Sequence, residues 1–196
     1  MIKSPIQKVT NKLQYRAIGI LNAVYKPNNS NQLNRGILND NEGVEIEAVV
    51  LGKALSLLKK YINLEKSHYW IVYPKNKNTQ NLHLQVAGIW DPCEFNQIGD
   101  DSSKKTPQEL LGELNLSDNY FSIRGTLVYV NSKKKEFVIK ICSSPKSKKS
   151  KNNNFKLVIE GELSLELLNH FISLDVIRYG NTLRLSNYEI IEKKIN

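Results

Sequence analysis

The chain has little of what most enzymes and metal proteins need. Its two cysteines, Cys93 and Cys142, fall in different halves of the 196 residues, with no second pair and no neighbouring histidines from which to build a metal site. The three histidines, His68, His83 and His170, are scattered without the i, i+4 spacing of metal ligands. No Gly-rich phosphate loop, G-x-S-x-G elbow or H-E-x-x-H motif occurs. Acidic residues of the strand candidates, Glu45, Glu47, Glu160 and Glu162, fall where a solvated sheet face is expected. These absences argue against an enzyme and lead to no cofactor and no metal. No run approaches the roughly 18 to 20 apolar residues of a membrane span, and the opening "MIKSPIQKVTNKLQ" has no signal-peptide core. The expected setting is therefore cytoplasmic, without a membrane.

What is abundant is lysine. The net charge is +9, and 40% apolar content suffices for one large core or two small ones. Clustered cations gain affinity for polyanions by releasing condensed counterions, so a nucleic-acid partner is the first reading of that charge. An excess of lysine over arginine with many asparagines is also the drift of an AT-rich genome. Distribution is more telling than the total: basic blocks at 1–90 and 119–196 flank an acidic connector at 91–118.

Two decapeptides, "LSLLKKYINL" (Leu55 to Leu64) and "LELLNHFISL" (Leu165 to Leu174), share five identities, with Tyr61 aligned to Phe171. Their flanks align too. "GVEIEAVVLG" and "NFKLVIEGEL" read as strands before them, and "YRAIGILNAVY" and "YFSIRGTLVYV" are earlier strands with Gly19 and Gly125 inside, marking a bulge or bend. "LNRGIL" and "KEFVIKIC" supply second strands. "SHYWIVYPK" with "LHLQVAGIW", and "LDVIRY" with "TLRLSNYEII" around Gly180-Asn181, supply two closing strands each. The pattern predicts β-β-β-α-β-β written twice: a mainly β protein, α+β by content, of tandem OB-fold-like five-stranded barrels. Each helix is expected to plug its barrel, through Leu55, Leu58 and Ile62 and through Leu165, Leu168 and Ile172. The boundaries that follow are an N-terminal extension over 1–14, barrels over 15–90 and 119–196, and a linker over 91–118. Inside that linker "TPQE" starts a short helix, with Thr106 as cap, Pro107 at the first position and Glu109 closing a capping box.

Ligands of such barrels lie across the second and third strands, between the loops joining strands 1 to 2 and 4 to 5. In the second unit this nominates Lys133, Lys134 and Lys135, then Lys146, Lys148, Lys149 and Lys151 in the next loop, with Lys140 pointing outward between them. All are expected to converge on one edge. The first unit adds Lys26 and Arg35, and Lys75 and Lys77. Interleaved aromatics, Tyr25, Tyr69, Trp70, Tyr73 and Tyr129, offer stacking surfaces, of which Tyr69 and Tyr73 are the chosen candidates. Alternation along strands sends about half of such rings into the core, and a lysine-rich loop is also what a solvated linker looks like.

The stretches "YRAIGILNAVYKP", "EAVVLGKALSLLKKYINLEKSHYWIVYPK" and "LHLQVAGIWDP" resemble those of a cyanobacterial protein family with two OB-like units. The resemblance carries over no activity and no functional residue. The expected function is binding of RNA or single-stranded nucleic acid, the alternative an assembly factor whose barrels hold a protein partner.

Overall fold

The computed structural model describes residues 3–76, 81–92, 105–142 and 154–193. Ten strands run β1 (Arg16–Pro27), β2 (Arg35–Asp40), β3 (Glu45–Val50), β4 (His68–Asn76), β5 (Leu82–Trp90), β6 (Tyr120–Asn131), β7 (Glu136–Ile141), β8 (Phe155–Glu160), β9 (Phe171–Tyr179) and β10 (Thr182–Glu192). Helix α1 (Gly52–Tyr61) follows β3, and α2 (Pro107–Glu113) precedes β6. The described chain falls into two compact units, one drawn from 1–7, 19–73 and 84–120, the other from 8–18, 74–83 and 121–196. Among the described residues no helix is long and apolar enough to cross a membrane.

Both sets of five strands close in the same order. β1 pairs with β2 and β4, β2 with β3, and β3 runs parallel to β5. Correspondingly β6 pairs with β7 and β9, β7 with β8, and β8 runs parallel to β10. Closure leaves each barrel an interior filled by alternate residues of every strand. In the first, Leu21, Ala23 and Tyr25 meet Leu38, Ile46, Trp70 and Leu84, all at most 1% exposed. The buried indole of Trp70 donates to Ala23 O at 2.8 Å, so its one polar atom is satisfied. In the second, Phe137, Ile139, Leu157, Ile159 and Val176 are fully enclosed.

Glycine is required where one strand bends tightly over another. A Cβ on Gly36 would lie 2.3 Å from Lys26 O, and one on Gly125 2.5 Å from Lys140 O, separations no side chain tolerates. The bend expected at Gly125 is accompanied by a register shift between Leu127 and Tyr129. At Gly19 the ladder with β4 is regular, so no bulge is needed there.

Helix α1 plugs its barrel with Ala54 and Leu58, one turn apart and buried, while Leu55 is half-buried and Ile62 lies beyond the helix as its C-cap. The second helix is a correction. Leu165–Leu167 form a single 3-10 turn, Leu165 is 58% exposed, and "FISL" already belongs to β9. The physical reason lies at Asn169 and His170: Asn169 has φ +67, its N–H donates to Leu127 O at 2.8 Å, and His170 O accepts from Leu127 N at 3.0 Å. These bonds tie the chain to β6 before a second helical turn can form. The second unit is thus β-β-β-turn-β-β.

The connector helix forms as its cap signals require. Thr106 Oγ1 accepts from Glu109 N, and the Glu109 carboxylate accepts from Thr106 N at 2.7 Å. These bonds hold the Glu109 carboxyl below its ordinary pKa. Leu110 and Leu111 then pack on Ile20, Tyr69 and Trp90. In the second unit the chain ahead of β1 is tied down by Arg124, whose guanidinium donates to Lys12 O at 2.6 Å and Gln14 O at 3.3 Å.

Candidate nucleic-acid interface

The outward face of β7 and β8 follows directly from alternation and register. Phe137, Ile139 and Ile141 face the core, so Glu136, Val138 and Lys140 face out. On β8 the buried Leu157 and Ile159 leave Lys156, Val158 and Glu160 outward, and these stand directly opposite Lys140, Val138 and Glu136. β6 extends two of the rows, since Tyr129 pairs with Val138 and Asn131 with Glu136. Three rows therefore cross the face: Asn131, Glu136, Glu160; then Tyr129, Val138, Val158; then Lys140, Lys156. Rows lie about 7 Å apart along the strands. Tyr129 is 49% exposed, an open ring on a row of valines beside two lysines.

At the acidic end the face deepens into a cleft of about 320 Å³, walled by Glu136, Val158 and Glu160, by Asn181 of the β9–β10 turn and Leu183 at the start of β10, and by Asn76. Asn76 Oδ1 accepts from Val158 N at 3.3 Å. The turn is a two-residue hairpin with Gly180 at φ +55, a conformation that favours glycine. Glu160 is held by Arg184 Nε at 2.8 Å, and the Arg184 guanidinium lies 4.7 Å from the Tyr179 ring centre. Glu136, directly opposite Glu160, has no ion-pair partner among the described residues.

The other nominated residues divide. Lys133 and Lys134 are exposed in the β6–β7 turn, and Lys135 there, at φ +51, bridges Glu162 at 2.8 Å. That contact raises the Lys135 pKa and lowers that of Glu162. Lys140 is half-buried at the opposite end of β7, about 17 Å along the strand from Lys135. Among the described lysines convergence on one edge is therefore a correction: Lys133, Lys134 and Lys135 stand at the start of β7 and Lys140 near its far end. Lys146, Lys148, Lys149, Lys151 and Lys77 lie outside the described residues.

Lys75 Nζ sits 3.0 Å from the Phe155 ring centre, and burial lowers its pKa. Lys26 and Arg35 are exposed at the β1–β2 loop end, diagonal neighbours on one face because Lys26 pairs with Ile37. Tyr73 is 37% exposed. Tyr69 is a correction: only 9% exposed and edge-on to Trp90 at 5.9 Å, it lies beneath Leu110 and Leu111 and has no face for a base. Sequence reasoning missed Lys156, because only the β7–β8 register reveals that it faces Lys140. The corresponding face of β2 and β3 has other chemistry, its opposed pairs being Arg35 with Val49, Ile37 with Glu47 and Asn39 with Glu45.

A closed five-stranded barrel in the order 1-2-3-5-4, with its third and fifth strands parallel, is an OB fold, and this chain carries two. Residues 17–97 match the family model described as the N-terminal OB-fold domain of the PatR RNA-binding protein, and 123–192 match that of a cyanobacterial C-terminal OB-fold-like RNA-binding domain. The chain belongs to this cyanobacterial family of two OB units, and by family it is a nucleic-acid-binding protein. None of the curated proteins compared with it matches. Among solved structures, a deletion mutant of the single-stranded DNA binding protein from Thermus aquaticus is 10% identical with a TM-score of 0.38, over 92% of this chain and 94% of that one.

Proposed function

We propose that the chain binds single-stranded RNA across the outward face of β6, β7 and β8, and that it holds the strand without acting on it chemically. The observation that carries this reading is the row of Tyr129, Val138 and Val158 lying next to Lys140 and Lys156. A base needs an exposed ring or flat apolar surface to stack on, and the strand's phosphates need cations one step away. Lys133 and Lys134 extend the positive surface beyond the turn, while Lys26 and Arg35 offer the first unit a weaker cationic contact, with the exposed ring of Tyr73 at the far end of β1 from them. Lys135, engaged by Glu162, contributes less. The inferred setting is the cytoplasm, with no membrane involved.

Tyr129→Ala tests the platform. It should weaken binding of a uridine oligonucleotide by about 1 to 3 kcal/mol, the usual value of one stacked base, with stability changed by less than about 0.5 kcal/mol. Unchanged affinity would remove β6 from the interface. Failure of the parent protein to bind RNA at low salt would reject the reading altogether.

A further inference from the structure

The cleft at the acidic end of this face asks for an explanation that phosphate binding does not supply. A carboxylate beside a nucleic-acid path repels the backbone, and two carboxylates directly opposite one another on neighbouring strands are themselves unfavourable. Glu160 is paired with Arg184 at 2.8 Å. Glu136 is not, and it faces a cleft of about 320 Å³. That volume is at the small end of the roughly 300 to 1,000 Å³ typical of small-ligand sites, which suits one base and part of its ribose. The walls Val158 and Leu183 are apolar, and Asn181 brings an amide from the β9–β10 turn.

We propose that this cleft seats a single unstacked guanine, read by the Glu136 carboxylate; the assignment rests on the RNA-binding reading above. Among the four bases only guanine presents two N–H donors side by side on its Watson–Crick edge, N1–H and the 2-amino group, and a carboxylate accepts both at once. Adenine and cytosine place an amino group beside a ring acceptor, and uracil places its N–H between two carbonyls, so each sets an acceptor against the carboxylate. Sequence-specific RNA recognition commonly works this way, on splayed single-stranded bases held by their Watson–Crick edges. The Tyr129 row and its lysines then give affinity, and Glu136 gives base preference.

The test uses the full chain and a labelled uridine decamer carrying one central guanosine, inosine (which lacks the 2-amino group) or no substitution, compared by anisotropy at one salt concentration. The parent should favour guanosine over both others by about tenfold, the discrimination of one bidentate pair. In Glu136→Gln the preference should shrink to within about twofold, while affinity for the all-uridine strand holds or tightens, because a repulsive charge is gone. A melting curve matching the parent's shows that the variant is folded. Equal, salt-sensitive binding of all three strands by the parent, or a preference that survives Glu136→Gln, overturns the guanine assignment alone. Binding of none of them overturns the RNA reading with it.

Discussion

The two barrels share strand order, a parallel closing pair and a glycine at a tight bend, yet their second and third strands turn different faces outward. β2 and β3 present Glu45 and Glu47 opposite Asn39 and Ile37, with Arg35 alone for positive charge. β7 and β8 present lysine against lysine, valine against valine and glutamate against glutamate. The interiors are constrained by packing, and the outward rows are free to diverge, so a duplicated fold need not mean a duplicated site. The plugs differ as well: a ten-residue helix in one barrel, a three-residue turn in the other.

That last difference gives the largest expected effect. Leu58→Ala should cost about 2 to 5 kcal/mol, because it empties a buried position beneath α1. Leu165→Ala, at a site 58% exposed, should stay within about 0.5 kcal/mol. Chemical denaturation of both variants measures the contrast, and similar losses would mean that the two plugs are equivalent after all.

Alkaline pH should probe the interior of the first barrel. Burial pushes the Tyr25 phenol up to about 12. The unfolded chain loses that proton near pH 10 and the folded chain does not, so the stability this group contributes is present below pH 10 and is lost between there and about 12. The loss proceeds at up to about 1.4 kcal/mol per pH unit. Tyr25→Phe should flatten the decline over that range, read from denaturation midpoints against pH. An unaltered slope would place the phenol in water.

A smaller effect tests the connector, which packs on the first unit's outer face. Thr106→Ala should cost about 1 kcal/mol by removing the cap of α2. Acid should weaken the same helix start, because the Glu109 carboxyl is depressed chiefly by its bond from the Thr106 N–H. Its contribution is present above the unfolded pKa of the carboxyl and is lost as pH falls through the folded one. Stability of Glu109→Gln, which cannot titrate there, should therefore depend less on acid than that of the parent, as titrated denaturation will show.

Much of this architecture was legible from periodicity. Strand alternation, the capping box at Thr106 and the hairpin at Gly180 are local signals, and each formed where its residues called for it. The misreadings came from long-range geometry. "LELLNHFISL" has a helical leucine spacing, but its fate was decided by hydrogen bonds from Leu127, some forty residues earlier. Tyr69 alternates like an exposed ring, and a helix from the connector covers it. Lys156 becomes a partner of Lys140 only through a register that spans the whole β7–β8 connection, and no local motif encodes that pairing.

The central claim, that the second barrel's outward face is the RNA platform and the first barrel's is not its equal, meets its most direct test in salt dependence. For a uridine decamer, log Kd against log salt concentration should flatten by about 1.4 in Lys140→Ala/Lys156→Ala, since each phosphate contact on a single strand contributes about 0.7. Lys26→Ala/Arg35→Ala should flatten it by less, and the exposed helix triple Lys53→Ala/Lys59→Ala/Lys60→Ala hardly at all. Equal flattening in all three variants, or none in Lys140→Ala/Lys156→Ala, would contradict the account.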